Sequence, residues 1–240
     1  FLKPLIERFF FVYLSIYLSI LFLTEMKSSE LNCKEIFKEA FSQRYTWPSS
    51  FNGYGGKCIF TDNQKSIEGD FILGSNLKPE ITNISDNEIV KGISSQLFEV
   101  AIHRVKREFT DIHKNNYFQY LGQTEKGLEM KVFGKNEGDR YSVKEKKINM
   151  VFRKIHGVII EIFVEEFIET KDGYLSKKYT SQQLDIVKFT PKSKKLEYED
   201  NFINLGINNI WVLESRIIKF QDQSNNSNIV KYCFKELNPI

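Results

Sequence analysis

A chain of 240 residues makes one large domain or two small ones, and at this length about 70% of the unfolded surface is buried without staples. Hydrophobic content of 41% and charged content of 27% exclude global disorder, and 13 Gly with 5 Pro exclude collagen-like or linker-rich architecture. Lys+Arg 34 against Asp+Glu 31 gives a net +3, too small to argue for nucleic acid; three cysteines make no disulfide framework and fit a reducing compartment.

Residues Phe9 to Leu23 read FFFVYLSIYLSILFL, with Lys3 and Arg8 before and Glu25 after. This run of about 15 apolar residues falls short of the ~20 that cross a bilayer untilted. Thr24-Glu25-Met26-Lys27 is a poor signal-cleavage site, and Glu30-Leu31-Asn32 before Cys33 is a poor lipoprotein site. The chain opens on Phe, and its first Met is Met26, just ahead of a helix-like segment. Residues 1–25 are therefore expected to be an upstream stretch outside the true reading frame start, or a hydrophobic N-terminal segment, with 26–240 a single domain. The first alternative implies a cytoplasmic protein; the second implies membrane anchoring or export. Recovery of an intact peptide covering Phe9 to Leu23 by N-terminal mass spectrometry would exclude the first.

In chain order, Leu31, Ile36, Phe37, Ala40 and Phe41 predict a helix over 31–44, ending before Trp47-Pro48 because the residue ahead of proline leaves the α region. Tyr54–Thr61 and Ser66–Leu73 read as a hairpin turning at Asp62-Asn63-Gln64, with a further short strand at Lys78–Ile84. Asp86–Phe109 is the longest helical pattern. Asp86 can cap it, Ile89, Ile93, Leu97, Val100, Ala101 and Val105 share one face, and Gln96, Glu99, His103, Lys106 and Arg107 are expected on the wet side. From Asn115 onward the pattern is strands: Gly127–Gly134, Val158–Phe167, Tyr174–Phe189, Leu196–Ile203, Ile210–Phe220 and Ile229–Phe234. Hairpin-length separators predict antiparallel pairing. The expected fold is α+β: a strongly curved antiparallel sheet of about nine or ten strands, half-barrel or barrel, covered by two helices.

Sharp chemical motifs are lacking: no phosphate-cradling Gly loop, CxxC, HExxH or GxSxG occurs. Cys33, Cys58 and Cys233 lack metal spacing and read as small core residues, so neither metal nor cofactor is expected. His103-Arg104-Val105-Lys106-Arg107, then His113 and Asn115, make a polar cluster at the end of the long helix, where basic residues also complement the helix dipole. Glu99, one turn before His103, could favour an imidazolium there. The nearby Tyr117, Phe118 and Tyr120 could stack bases, but Glu125, Glu129, Glu137 and Asp139 follow, so no nucleic-acid partner is expected. Arg44-Tyr45-Thr46-Trp47, Phe51 and Tyr54 form an aromatic helix-to-strand junction, either a ligand-lining patch or a core corner. Glu161, Glu165, Glu166 and Glu169 read as the solvent face of a strand rather than an acid–base pair.

The segment KEIFKEAFSQRYTWPSSFNGY (34–54), with Arg44, Tyr45, Thr46, Trp47, Phe51, Gly53 and Tyr54, resembles the opening of the domain of unknown function 3386 family. A second signature looks like His103-Arg104, Phe109, His113, Asn115 or Asn116, and Phe118; a third, like Gly173-Tyr174 with Tyr179 beyond. Lys114 stands where the family usually has Gly after the second His, which puts a shared tight turn in doubt. The resemblance spans about Leu31 to Leu237 and implies a photosynthetic, cyanobacterial lineage and a start near Met26. It supplies no activity.

The element order is also similar to the half-barrel of lipoprotein-carrier and lipid-binding proteins, a fold analogy only. The expectation is a non-catalytic binding or assembly factor with an apolar cavity for a lipid, pigment or protein segment. Its candidate ligand-binding residues are Arg44, Tyr45, Trp47, Tyr54, His103, Arg104, His113 and Asn115, with no catalytic residue. The expected partner is a lipophilic small molecule or a protein, and a membrane only if residues 1–25 are real. Two rivals are an enzyme built on His103, His113 and an Arg104 anion clamp, and a partner-binding structural module.

Overall fold

The computed structural model describes residues 14–21, 33–206, 209–222 and 224–240. Residues 14–21 are helical, and no helix among the described residues is long and apolar enough to cross a membrane. The remainder of the Phe9–Leu23 run, the Met26 start and the first two residues of the predicted opening helix lie outside the described residues.

Residues 33–42 form α1. Three strands follow: β1 (Gly53–Thr61), β2 (Ser66–Gly74) and β3 (Pro79–Thr82). Then come α2 (Asn87–Ile102) and the short α3 (Phe109–His113). The rest is strand: β4 (Asn116–Thr124), β5 (Gly127–Gly134), β6 (Arg140–Lys144), β7 (Lys147–Ile155), β8 (Val158–Thr170), β9 (Gly173–Asp185), β10 (Leu196–Asn204), β11 (Trp211–Gln221) and β12 (Ser227–Pro239). Asp86 caps α2 as its sequence position suggests, its carboxylate accepting the backbone N–H groups of Glu88 and Ile89. The helix stops at His103, short of the predicted Phe109, and the chain turns before re-entering helix at Phe109.

All twelve strands belong to one antiparallel sheet in the order β3-β2-β1-β12-β11-β10-β9-β8-β7-β6-β5-β4. Two expectations are corrected by it. Among the described residues the strand number is twelve rather than nine or ten. The sheet is neither a barrel nor a strongly curled half-barrel: it stays open, with β3 and β4 as its two edges. The edges themselves explain this. β3 is four residues long and begins at Pro79, which has no N–H to offer, and β4 carries a register irregularity between Tyr120 and Gly122.

The strands missing from the sequence reading are β4, β6 and β7. The β6–β7 turn is Glu145-Lys146, both at positive φ (51° and 61°), a two-residue turn made without the Asn-Gly signal that announces one. The next turn, His156-Gly157 (47° and 80°), is of the same kind, which accounts for the third histidine.

The core is divided. Ile89, Ile93, Leu97, Val100 and Ala101 of α2 pack with Cys58, Phe71, Leu73, Leu213, Ile218, Tyr232 and Phe234. α1 and α3 pack through Phe37, Ala40, Phe41 and Phe109 with Phe118, Met130, Val132, Tyr141, Val143 and Ile148. A small third cluster, Met150, Phe152, Ile159 and Leu184, lies on the opposite face of the sheet from Tyr141 and Val151, because Met150 precedes Val151 on one strand.

Gly173 joins the two larger cores. Its φ is +136°, and a Cβ there would press into the Gln43 carbonyl oxygen and the Arg44–Tyr45 backbone. That close approach lets Tyr174 N–H reach the Gln43 carbonyl (3.0 Å) and Tyr45 N–H reach the Tyr174 carbonyl (2.9 Å). Gly173→Ala is expected to destabilise the fold by more than about 1 kcal/mol, read by thermal unfolding.

Candidate functional site

The segment Arg44–Trp47 threads between β9, the end of α2 and the β10–β11 connection. Trp47 N–H donates to the Arg104 carbonyl (2.7 Å). The Tyr45 hydroxyl accepts Trp211 N–H (2.8 Å) and donates to the Asn209 carbonyl (3.1 Å). Trp47 Nε1–H donates to the Trp211 carbonyl (2.9 Å). Trp47 meets Phe51 (ring centroids 5.0 Å apart) and Tyr54 (6.1 Å) edge-on, and Tyr54 meets Phe71 in the same way (5.4 Å). Tyr45, Trp47 and Tyr54 are therefore core residues whose polar ends tie loops together, and burial raises the Tyr45 and Tyr54 phenols above their ordinary range.

Arg44 lies over the Phe41 ring (3.7 Å), donating from Nε to the Phe41 carbonyl. Arg104 is the unusual member. It is 9% exposed, its Nη1 donates to the Tyr45 carbonyl (3.2 Å), its guanidinium sits 5.5 Å from the Phe202 ring, and its buried Nε has no partner among the described residues. Burial brings its pKa down to about 10, leaving it charged at neutral pH.

The histidines part company. His113 is 3% exposed in an aromatic cage of Phe37, Phe41, Phe109 and Phe118. Its Nδ1 lies 2.8 Å from Asn116 Nδ2. The Asn116 side-chain oxygen Oδ1 accepts Asn136 N–H, which turns the amide NH2 toward His113 and fixes Nδ1 as an acceptor, with the proton on Nε2. Burial first, then Arg153, Arg44 and Lys135, lowers the imidazole to about 4. His103 is exposed at the C-cap of α2, and no hydrogen bond or ring contact joins it to His113. Glu99, expected to pair with His103, reaches Arg216 instead (3.4 Å). Asn115 is exposed; the buried partner of His113 is its neighbour Asn116.

A second polar centre escaped the sequence reading. Arg216 is 1% exposed and grips Asp200 (2%) with two bonds of 2.7 Å, from Nε and Nη2. Its Nη2 donates to the Tyr179 hydroxyl (2.6 Å), which donates to Asp200 (3.2 Å), and its Nη1 donates to Gln96 of α2 (2.9 Å). Tyr179 and Tyr198 stack at 4.8 Å beside it. Burial opposes the charge on Arg216, but Tyr179 and Asp200 outweigh burial and hold the guanidinium firmly protonated. The supposed wet face of α2 thus carries two side chains that plug into this centre.

Among the described residues the buried interior therefore holds two guanidinia, Arg104 and Arg216, while the buried carboxylate of Asp200 is already engaged by Arg216 through two bonds. Asp139, the other buried carboxylate, belongs to Arg153, Tyr141 and the Lys154 backbone. Two open depressions stand out among the described residues: one of about 480 Å³ along Ile203, Leu205, Glu214, Cys233 and Leu237, and one of about 370 Å³ along Glu165, Lys178, Tyr198 and Lys219. Neither is lined by any of the eight candidate ligand-binding residues. Among the described residues, no group of three or more His, Cys, Asp or Glu is placed to hold a metal ion.

Fold and site together define an open antiparallel-sheet protein, covered by a few helices, with a buried and under-neutralised arginine. The chain belongs to the family described as protein of unknown function (DUF3386), whose model matches residues 28–240. No curated protein matches it. Two solved structures are similar at low level: a LolA superfamily protein from Nitrosomonas europaea (8% identity, 87% of this chain and 93% of that one, TM-score 0.29) and a DUF1329 family protein from Desulfovibrio piger (10% identity, 86% and 92%, TM-score 0.29). At these identities and scores neither speaks to what this chain binds.

Proposed function

We propose that the protein is a non-catalytic binding factor for a lipophilic molecule carrying an anionic group, and that Arg104 receives that group. The observation that carries this reading is the buried Arg104 guanidinium, whose Nε is unpaired among the described residues, in a core where Asp200 is committed to Arg216. A buried charge without a full set of partners is costly, and a ligand carboxylate or phosphate would supply them. Around it lie Trp47, Tyr54 and Phe202, apolar surface suited to the rest of such a ligand. This interior is filled by the apolar stripe of α2, so binding requires α2 to give way.

The test is to purify the protein from its native host and analyse its extract by mass spectrometry, beside Arg104→Met. The wild type is expected to carry an anionic lipophile and the variant to lack it. Loss of the bond to the Tyr45 carbonyl is offset by removal of an incompletely paired buried charge, so the variant should keep its stability within about 1 kcal/mol. Wild-type protein free of any lipophile would remove the proposal.

A further inference from the structure

The β9–β10 connection does not belong to that interior. Residues 187–195 read Val-Lys-Phe-Thr-Pro-Lys-Ser-Lys-Lys, four lysines with no carboxylate among them. Lys188, Lys192, Lys194 and Lys195 are all exposed. In the same loop Val187 is 77% exposed and Phe189 51%. Single exposed apolar residues are ordinary; two at one loop tip, set among lysines, are not.

The tip is also held in place. Asp185 Oδ1 accepts the N–H groups of Val187 and Lys188 (both 2.9 Å), Phe189 N–H reaches the Asp185 carbonyl (3.0 Å), and Asp185 N–H reaches the Thr190 carbonyl (2.8 Å). Phe189 has φ +57°, a region that a bulky side chain adopts only when its surroundings impose it. The inner face of its ring lies against Phe152 (6.3 Å, 22° between planes), and the Arg140 guanidinium sits over Phe152 as well (5.3 Å). The fold thus spends backbone strain to keep Phe189 half outside on a firm base, in a loop whose lysines are exposed, Lys192 pairing with the Asp185 carboxylate (3.4 Å) and Lys194 lying over the Phe220 ring (5.1 Å).

We infer that this tip is a docking surface for an anionic lipid membrane, with Val187 and Phe189 entering the boundary between headgroups and acyl chains while the lysines meet lipid phosphates. Charge complementarity selects that occupant: lysines suit phosphates, and the apolar tips would be left in water by any partner that engaged the lysines alone. The inference stands apart from the ligand reading, since a chain with an empty Arg104 site would still dock.

The whole 240-residue chain is used. Its apolar 9–23 run could hold it on vesicles unaided, so the readout is placed at the loop. Phe189→Trp is mixed with vesicles of phosphatidylcholine alone or with phosphatidylglycerol added, and the fluorescence of wild type, with its own Trp47 and Trp211, is subtracted. The added tryptophan is expected to shift to the blue and be quenched by brominated lipid only when phosphatidylglycerol is present, and high salt should reverse both effects. Changing Lys188, Lys192, Lys194 and Lys195 to Gln in that background should raise the concentration of phosphatidylglycerol vesicles needed to quench the added tryptophan at least about a hundredfold. Val187→Ser with Phe189→Ser should reduce the salt-sensitive part of sedimentation about tenfold. Circular dichroism confirms that each variant is folded. The inference is overturned if emission from the added tryptophan ignores anionic vesicles, or if that emission responds to them in the lysine variant as it does in its parent. It also falls if the lysines prove to bind a single-stranded oligonucleotide in preference to vesicles, with the serine changes silent.

Discussion

Arg216→Met is expected to lower unfolding stability by about 3–5 kcal/mol, the usual consequence of removing one partner from a buried ion pair. The loss has a specific origin. Asp200 would be left at 2% exposure with two of its bonds gone, and Gln96 and the Tyr179 hydroxyl would lose a donor at the same stroke. In a chain of this size the change should move the thermal midpoint down by more than about 6 °C. Replacing both charges, Arg216→Met with Asp200→Asn, should recover part of the loss, since no lone charge is then left inside. Arg104 gives a further handle. It already feels the Asp200 charge, and in the Arg216 variant it is the remaining buried guanidinium that could answer it. The double change Arg104→Met, Arg216→Met should therefore cost more than the sum of its parts. Denaturant unfolding of the wild type, the two single variants and the two double variants measures each contribution, and a wild-type midpoint for Arg216→Met would contradict the buried pair.

The second large effect is with pH. His113 has a folded pKa of about 4 against an ordinary value of 6.5, so the folded state disfavours the proton that the unfolded chain accepts. Its contribution is fully present above pH 6.5 and is lost as pH falls from 6.5 towards 4, amounting to about 3 kcal/mol. Protonation would put a hydrogen on Nδ1, facing the Asn116 amide hydrogens, beside the positive charges of Arg153, Arg44 and Lys135. His113→Gln keeps an acceptor for Asn116 and should flatten this part of the profile while leaving stability at pH 7 less affected. Unfolding midpoints of the two proteins between pH 7 and 4 decide it; parallel profiles would mean that another group is responsible.

The periodic parts of the fold were readable. The hairpin of β1 and β2, the Asp86 cap and the long strands after β7 follow from alternation and turn residues, which are local properties. The tight Glu145-Lys146 and His156-Gly157 turns were less so, because positive φ at non-glycine residues leaves no compositional mark, and β6 and β7 disappeared with the first of them. In the site, Tyr45, Trp47 and Tyr54 were found through their aromatic density, but the role of Tyr45 and Trp47 as core ties depends on backbone partners more than 150 positions away. The Arg216 centre draws on α2 and three strands, a convergence no linear spacing encodes. A signal did exist: Tyr198, Asp200 and Phe202 share one side of a strand, so a charge stands at an inward position, and Arg216 is its direct cross-strand partner. Asn116 replaced Asn115 for a similarly simple reason, one residue of register at the head of an edge strand.

Strand order has a consequence for biosynthesis. Among the pairs that adjoin in the sheet, β1 with β12 is the long-range one, and its register joins Tyr54 to Pro239 and Thr61 to Lys231. While the ribosome is still making the later strands, the first hairpins expose an unsatisfied flank carrying Cys58 and Tyr54. Only when β12 has cleared the exit tunnel can that flank close. Nascent chains stalled before that point should therefore be the ones that chaperones capture, whatever the mature molecule goes on to bind.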